Sequence, residues 1–105
     1  MKRICFVLNV RPDRVEEYRE RHRNVWPEMR TALCQTGWSD YTLFLRSDGL
    51  LVGYLQTQDF EQAKRAMKAL PVNDRWQEFM APLFAGLEAH ADDGMQPLEE
   101  VFHLD

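Results

Sequence analysis

The sequence predicts one α+β domain over residues 1–105, with its helices on one face of an antiparallel sheet. Three observations carry this expectation. Strand-like runs at 2–10, 41–46, 50–57 and 98–104 are interleaved with helical stretches in the order β-α-β-β-α-(α)-β. Ser47, Asp48 and Gly49 separate the middle two runs, and Asp-Gly readily takes the positive-φ positions of a tight hairpin. A chain of 105 residues, 45% hydrophobic and 29% charged, fills one core and leaves no room for a second.

The first strand places Ile4, Phe6, Leu8 and Val10 on one side, while Cys5 and Val7 keep the other side apolar, so its middle is expected to be covered on both faces. Pro12 and Asp13 open a helix running to about Leu33, with Glu16, Glu17 and Glu20 near its positive end. Val15, Tyr18, Val25, Trp26, Met29 and Leu33 recur at helical spacing, and His22 falls between Tyr18 and Trp26. Pro27 removes an amide donor and strains the turn before it, which predicts a kink or break over 23–26. Gly37 closes this unit, and the hairpin follows, with Gly53 marking close strand packing.

Asp59 is placed to cap a second helix to about Leu70, with Phe60, Ala63, Ala66, Met67 and Leu70 facing the core and Pro71 ending it. Asn73 then reads as the cap of a third helical segment carrying Trp76, Phe79, Met80, Leu83, Phe84 and Leu87, divided at Pro82. A loop over 92–97 leads to the last strand with Val101, Phe102 and Leu104. Four strands and two principal helices in this order specify a ferredoxin-like layer. Apolar side chains occur at both parities of the strands, so the sheet face opposite the helices needs a cover. A second copy of the chain, packed sheet to sheet, is the expected one.

The charge balance of 13 Lys and Arg against 17 Asp and Glu gives −4, which argues against binding nucleic acid or an anionic membrane by broad electrostatics. The basic and aromatic strand pattern of RNA-recognition modules is also absent. No apolar run nears the roughly 20 residues of a membrane span, and no secretory segment follows Met1, so the chain is expected in the cytoplasm. Cys5 and Cys34 are read as reduced, buried thiols.

The chemistry-bearing residues are few. Tyr18, His22 and Trp26 set a hydroxyl, an imidazole and an indole four residues apart, a set able to orient and protonate a small polyhydroxylated molecule. Trp38 and Tyr41 at the start of the second strand, with Trp76 on the third helical segment, could wall the same site. Core or interface packing is the plainer explanation of these rings from their types alone, and no spacing rule defeats it. His22, His90 and His103 form no metal-ligand spacing, two cysteines make no zinc motif, and no glycine-rich loop cradles phosphate, so neither metal nor cofactor is expected. Asp40, Asp48 and Asp59 read as loop and cap groups.

Taken in order, Phe6 to Val10, Glu16-Glu17-Tyr18, Arg21-His22, Trp26-Pro27-Glu28, Trp38, Tyr41, Arg75-Trp76 and the ending 98–104 resemble the L-rhamnose mutarotase family along essentially the whole chain. The resemblance implies paired ferredoxin-like subunits forming a dimeric α/β barrel, and cofactor-independent exchange of the α and β anomers of L-rhamnose. It implies His22 as proton donor and Tyr18, Tyr41 and Trp76 as substrate contacts; Trp26 and Trp38 are candidate pocket walls from their place in the sequence. Where family members commonly carry a second tryptophan after Trp76, this chain has Gln77. An amide can bond a sugar hydroxyl but offers no broad stacking face, so relaxed discrimination at that edge is expected. Tyr18, a backbone carbonyl acting through water, or a loop group could serve as base; Asp40 and Glu99 are not assigned. A mutarotase for another aldose and a non-enzymatic carbohydrate-binding regulator remain the competing readings.

Overall fold

A computed structural model describes residues 1–86 and 94–105. Three strands, β1 (Lys2–Asn9), β2 (Ser39–Leu45) and β3 (Leu50–Thr57), form an antiparallel sheet in the order β1-β3-β2. The four strands expected of a ferredoxin-like sheet are three among the described residues. The expected strand at 98–104 is absent. The C-terminal segment bridges the edge of β1 at Phe6–Pro97, and the Leu98 amide donates to the Cys5 carbonyl at 2.7 Å. Pro97 has no N–H to give to a ladder. Beyond it Arg3 pairs with Glu100 at 2.7 Å, and Val101, Phe102 and Leu104 are exposed.

The long first helix is two helices. A single 3₁₀ turn at Pro12–Arg14 leads into α1 (Val15–Arg23), and α2 (Pro27–Gln35) begins at the proline. Trp26, at φ −53° and ψ 133°, takes the extended conformation that a following proline imposes, so the expected break falls at 24–26. α3 (Phe60–Lys68) starts where Asp59 accepts a hydrogen bond from the Gln62 amide at 3.2 Å.

Pro71 does not simply end that helix. It opens α4 (Pro71–Met80) as the first helical residue, where its missing N–H costs nothing, and a 3₁₀ turn at Ala81–Leu83 follows. Asn73 is therefore inside the helix and buried, rather than its cap. The expected helix end at Leu87, His90 and the start of the loop at Asp92 lie outside the described residues.

The helices cover one face of the sheet. Phe6, Leu8, Leu51 and Leu55 pack there against Val15, Tyr18, Met29, Phe60, Met67, Trp76 and Met80. Gly53 pairs with Phe6 across the ladder, and a Cβ at Gly53 would lie 2.3 Å from Phe6 Cζ, so the ring occupies the space a side chain would take. The opposite face carries the row Val7, Val52, Phe44 in register, with Val7 and Phe44 exposed. The expectation that β1 is covered on both faces thus holds for only one face of a single protomer. The cysteines are free, but neither is buried: Cys5 is half-buried in β1, and Cys34 near the end of α2 is exposed. No helix among the described residues is long and apolar enough to cross a membrane.

Candidate active site

A cavity of about 530 Å³ lies between the helical face of the sheet and helices α1, α2 and α4, within the span of about 300–1,000 Å³ usual for small-molecule sites. Phe6, Leu8, Leu43 and Leu51 contribute sheet side chains to its apolar wall. Tyr18 and His22 come from α1, Met29, Arg30 and Cys34 from α2, Asp40 and Tyr41 from β2, and Asn73, Trp76 and Gln77 from α4. A few polar groups on an apolar wall is the pattern that orients a compact ligand through directed hydrogen bonds.

The helical repeat puts Tyr18 and His22 one turn apart, and their rings stack with centroids 4.2 Å apart. The Trp76 ring stands edge-on to the imidazole at 5.5 Å. His22 Nδ1 lies 3.0 Å from the Tyr18 carbonyl, which can only accept, so this nitrogen carries the hydrogen and Nε2 is left for proton exchange. Burial pushes the His22 pKa down, and the bond to the Tyr18 carbonyl opposes this in part. Burial, with Tyr41 nearby, pushes the Tyr18 phenol far above its usual range. Tyr18 therefore keeps its proton and is no phenolate base; its hydroxyl serves as a hydrogen-bonding group.

On α4 the residues Asn73, Trp76, Gln77 and Met80 share the buried stripe. Gln77 Nε2 donates to Asn73 Oδ1 at 3.2 Å, one turn back, so the amide that stands in place of a second indole is held rather than loose at the pocket edge. Asn73 lining the cavity was not foreseen. Its signal was present in the sequence, since a carboxamide pair at i and i+4 on the face of Trp76 and Met80 has to be satisfied internally. Trp38 Nε1 donates to the Ala63 carbonyl at 3.3 Å, which spends its only donor and leaves the ring as apolar wall, 4.9 Å from Tyr41.

Trp26 is placed differently from Trp38. It is not among the lining side chains, but packs edge-to-face against Trp76 at 5.0 Å and so backs the wall from behind. Tyr18, His22, Tyr41, Trp76, Gln77 and Trp38 all meet at the one cavity. The acidic residues read as loop and cap groups divide. Asp48 is a turn group, pairing with Arg46 at 2.7 Å and accepting from the Leu50 amide at 3.2 Å, and Asp59 is a cap. Asp40 is neither; it lies within β2 and lines the cavity. Among the described residues no three His, Cys, Asp or Glu side chains gather to hold a metal ion.

The family model for L-rhamnose mutarotase matches residues 3–104 of the chain. The chain belongs to the L-rhamnose mutarotase family. It is 39% identical to the L-rhamnose mutarotase of Bacillus subtilis strain 168 over 106 residues, covering 100% of both chains. Identity to the family members of Oceanobacillus iheyensis and Sinorhizobium fredii is 36% and 37%, each over 108 residues, with 100% and 99% of both chains covered. The crystal structure of the L-rhamnose mutarotase from Formosa agariphila superposes with a TM-score of 0.80 over 100% of both chains at 24% identity, a likeness of fold.

Proposed function

We propose that this chain interconverts the α and β anomers of L-rhamnose by acid–base ring opening and reclosure, as a cytoplasmic homodimer without a cofactor. The observation that carries this reading is the setting of His22, whose Nε2 is left free in an aromatic cavity that Tyr18, Tyr41, Trp76 and Gln77 share. Membership of the family supplies the sugar. Opening a pyranose needs an acid at the ring oxygen as its bond to the anomeric carbon breaks, and a base at the anomeric hydroxyl. His22 is the proton donor in this reading. Rotation of the open aldehyde about C1–C2 and reversal of the two transfers return the other anomer.

Two features support the second copy. The row Val7, Val52, Phe44 leaves an apolar strip on the sheet face away from the helices, with Phe44 60% exposed in one protomer. The tail beyond Pro97 also leaves Val101, Phe102 and Leu104 exposed. Sheet-to-sheet packing covers the first, and a tail laid across the neighbouring subunit covers the second, which would complete a dimeric barrel.

Substrate choice tests the assignment. L-rhamnose is expected to be exchanged with the highest catalytic efficiency in an NMR panel with L-mannose, L-fucose and D-galactose at equal enzyme concentration. Leaving a buried polar group unpaired costs about 1–3 kcal/mol, so a misplaced ring hydroxyl loses roughly 5- to 150-fold. L-mannose differs only by a hydroxyl at C6, and the Gln77 amide is expected to keep its rate within about tenfold of that on L-rhamnose, a gap that widens when Gln77→Trp is made. A sugar of different ring stereochemistry outperforming L-rhamnose contradicts the assignment. A chain that binds these sugars and accelerates none is the carbohydrate-binding regulator instead.

A further inference from the structure

The base that ring opening requires has a candidate in a residue that strand parity would have sent elsewhere. In β2 the side chains alternate, with Tyr41 and Leu43 on the cavity side and Thr42 and Phe44 on the other, so an unbroken strand would turn Asp40 away from the cavity. The ladder with β3 breaks its register at this point. Ser39 pairs with Gln56 and Thr42 with Tyr54, so three steps on β2 face two on β3, which is one extra residue. Asp40 sits in that bulge at φ 51°, and it is the one non-glycine with positive φ among the described residues. The Thr42 hydroxyl donates to the Asp40 carbonyl at 3.2 Å and ties the bulge down. Asp40, which is exposed, and Tyr41, which is half-buried, both line the cavity that contains His22.

We propose that Asp40 is the catalytic base for the anomeric hydroxyl, a role that rests on the mutarotase reading of the same cavity. Asp40 is the one carboxylate among the described lining residues. Among the described residues no donor or cation pairs with its side chain, whereas Asp48 and Asp59 are both engaged. The buried phenol of Tyr18 retains its proton and cannot take the role. A left-handed residue and a bulge in one strand are devices found at functional sites.

The transfer balances. An Asp40 carboxylate oxygen takes the proton from O1, the freed electron pair forms the C1=O1 double bond, and the C1–O5 bond breaks with its electrons on O5. His22 Nε2 gives O5 its proton. After rotation about C1–C2, His22 Nε2 takes the O5 proton back as O5 attacks the other face of C1, and protonated Asp40 returns a proton to O1. Both residues end as they began, with no oxidant, reductant or other co-reactant.

Two variants test this against the unsubstituted chain, with anomer exchange of L-rhamnose read by saturation-transfer NMR and the spontaneous rate subtracted. Asp40→Asn keeps a residue that tolerates the left-handed conformation but removes the basic oxygen, and kcat/KM is expected to fall about 100-fold. Asp40→Gly relieves the backbone and also removes the base; its Tm is expected to equal or exceed that of the unsubstituted chain while its exchange falls comparably. Sodium formate should then restore at least tenfold of the lost rate in Asp40→Gly, beyond its effect on the sugar alone and on the unsubstituted chain. A folding role for Asp40 would lower Tm and show no formate rescue, and a role in sugar binding alone would raise KM with kcat kept. Either result, or exchange by Asp40→Asn within tenfold of normal, overturns the proposal. An unsubstituted chain that fails to speed the exchange overturns the mutarotase reading itself and this proposal with it, whereas loss of the Asp40 effect alone leaves that reading standing.

Discussion

His22→Gln is expected to slow the catalysed exchange of L-rhamnose anomers by about 100-fold or more while the protein stays folded, the usual cost of removing a general acid. Glutamine retains hydrogen-bonding atoms of similar reach but cannot give up a proton at neutral pH. The unsubstituted chain carries a second signature of the same residue. A donor must be protonated to act, and burial makes the His22 imidazolium release its proton more readily than a free imidazole. The catalysed rate, as kcat/KM, should therefore fall as pH rises, with a midpoint below the 6.5 of an unperturbed histidine. Saturation-transfer NMR across pH 5 to 8 reads both effects. Near-normal exchange in a folded His22→Gln variant, or a midpoint above 6.5, removes His22 from the acid role.

The second large effect concerns assembly. Native mass spectrometry and light scattering of the dilute protein are expected to report two chains together, and Phe44→Glu should report one. Burying a phenylalanine is worth about 1.5–3 kcal/mol, and a two-fold interface counts each substitution twice, so the loss is roughly 3–6 kcal/mol. That weakens the dimer by roughly 10²- to 10⁴-fold, before any cost of burying two carboxylates. Phe44 is the residue to change because its side chain stands on the face away from the helices, where its loss leaves the core of Phe6, Leu51 and Trp76 intact. A stable monomer in the unsubstituted chain contradicts the proposed pairing, and so does a dimer that survives Phe44→Glu.

What could be read from the sequence was what local chemistry decides. Alternation in β1 and β3, the Asp48-Gly49 turn, the Asp59 cap and the break ahead of Pro27 each depend on residues within a turn or two, and each lies where expected. The start of α4 was misjudged because Pro71 and Asn73 are both good helix starters; the proline took the first position and left Asn73 a turn inside, free to pair with Gln77. The fourth strand failed for a different reason. Val101, Phe102 and Leu104 signal a need for cover, but apolarity does not say whether the same chain supplies it.

The site divided along the same line. Tyr18 and His22 meet because a helix fixes their spacing, and Trp76 and Gln77 reach the cavity along the buried stripe of α4. Trp26 continues the four-residue spacing on paper, yet it falls beyond the end of α1, where Pro27 redirects the chain and leaves its ring behind Trp76. Asp40 was invisible because its position depends on the pairing of Ser39 and Thr42 with another strand, and a bulge is a property of two strands together.

Anomer exchange by this chain requires loss of a proton from the anomeric hydroxyl of L-rhamnose, gain of one at its ring oxygen, and the reverse on closure. Saturation-transfer NMR on L-rhamnose near neutral pH, with and without the unsubstituted protein, measures this directly, because exchange between the α and β signals requires the ring to open. The exchange rate is expected to rise in proportion to protein concentration above the spontaneous rate, with the equilibrium ratio of anomers unchanged. An exchange rate independent of the folded protein's concentration would contradict it.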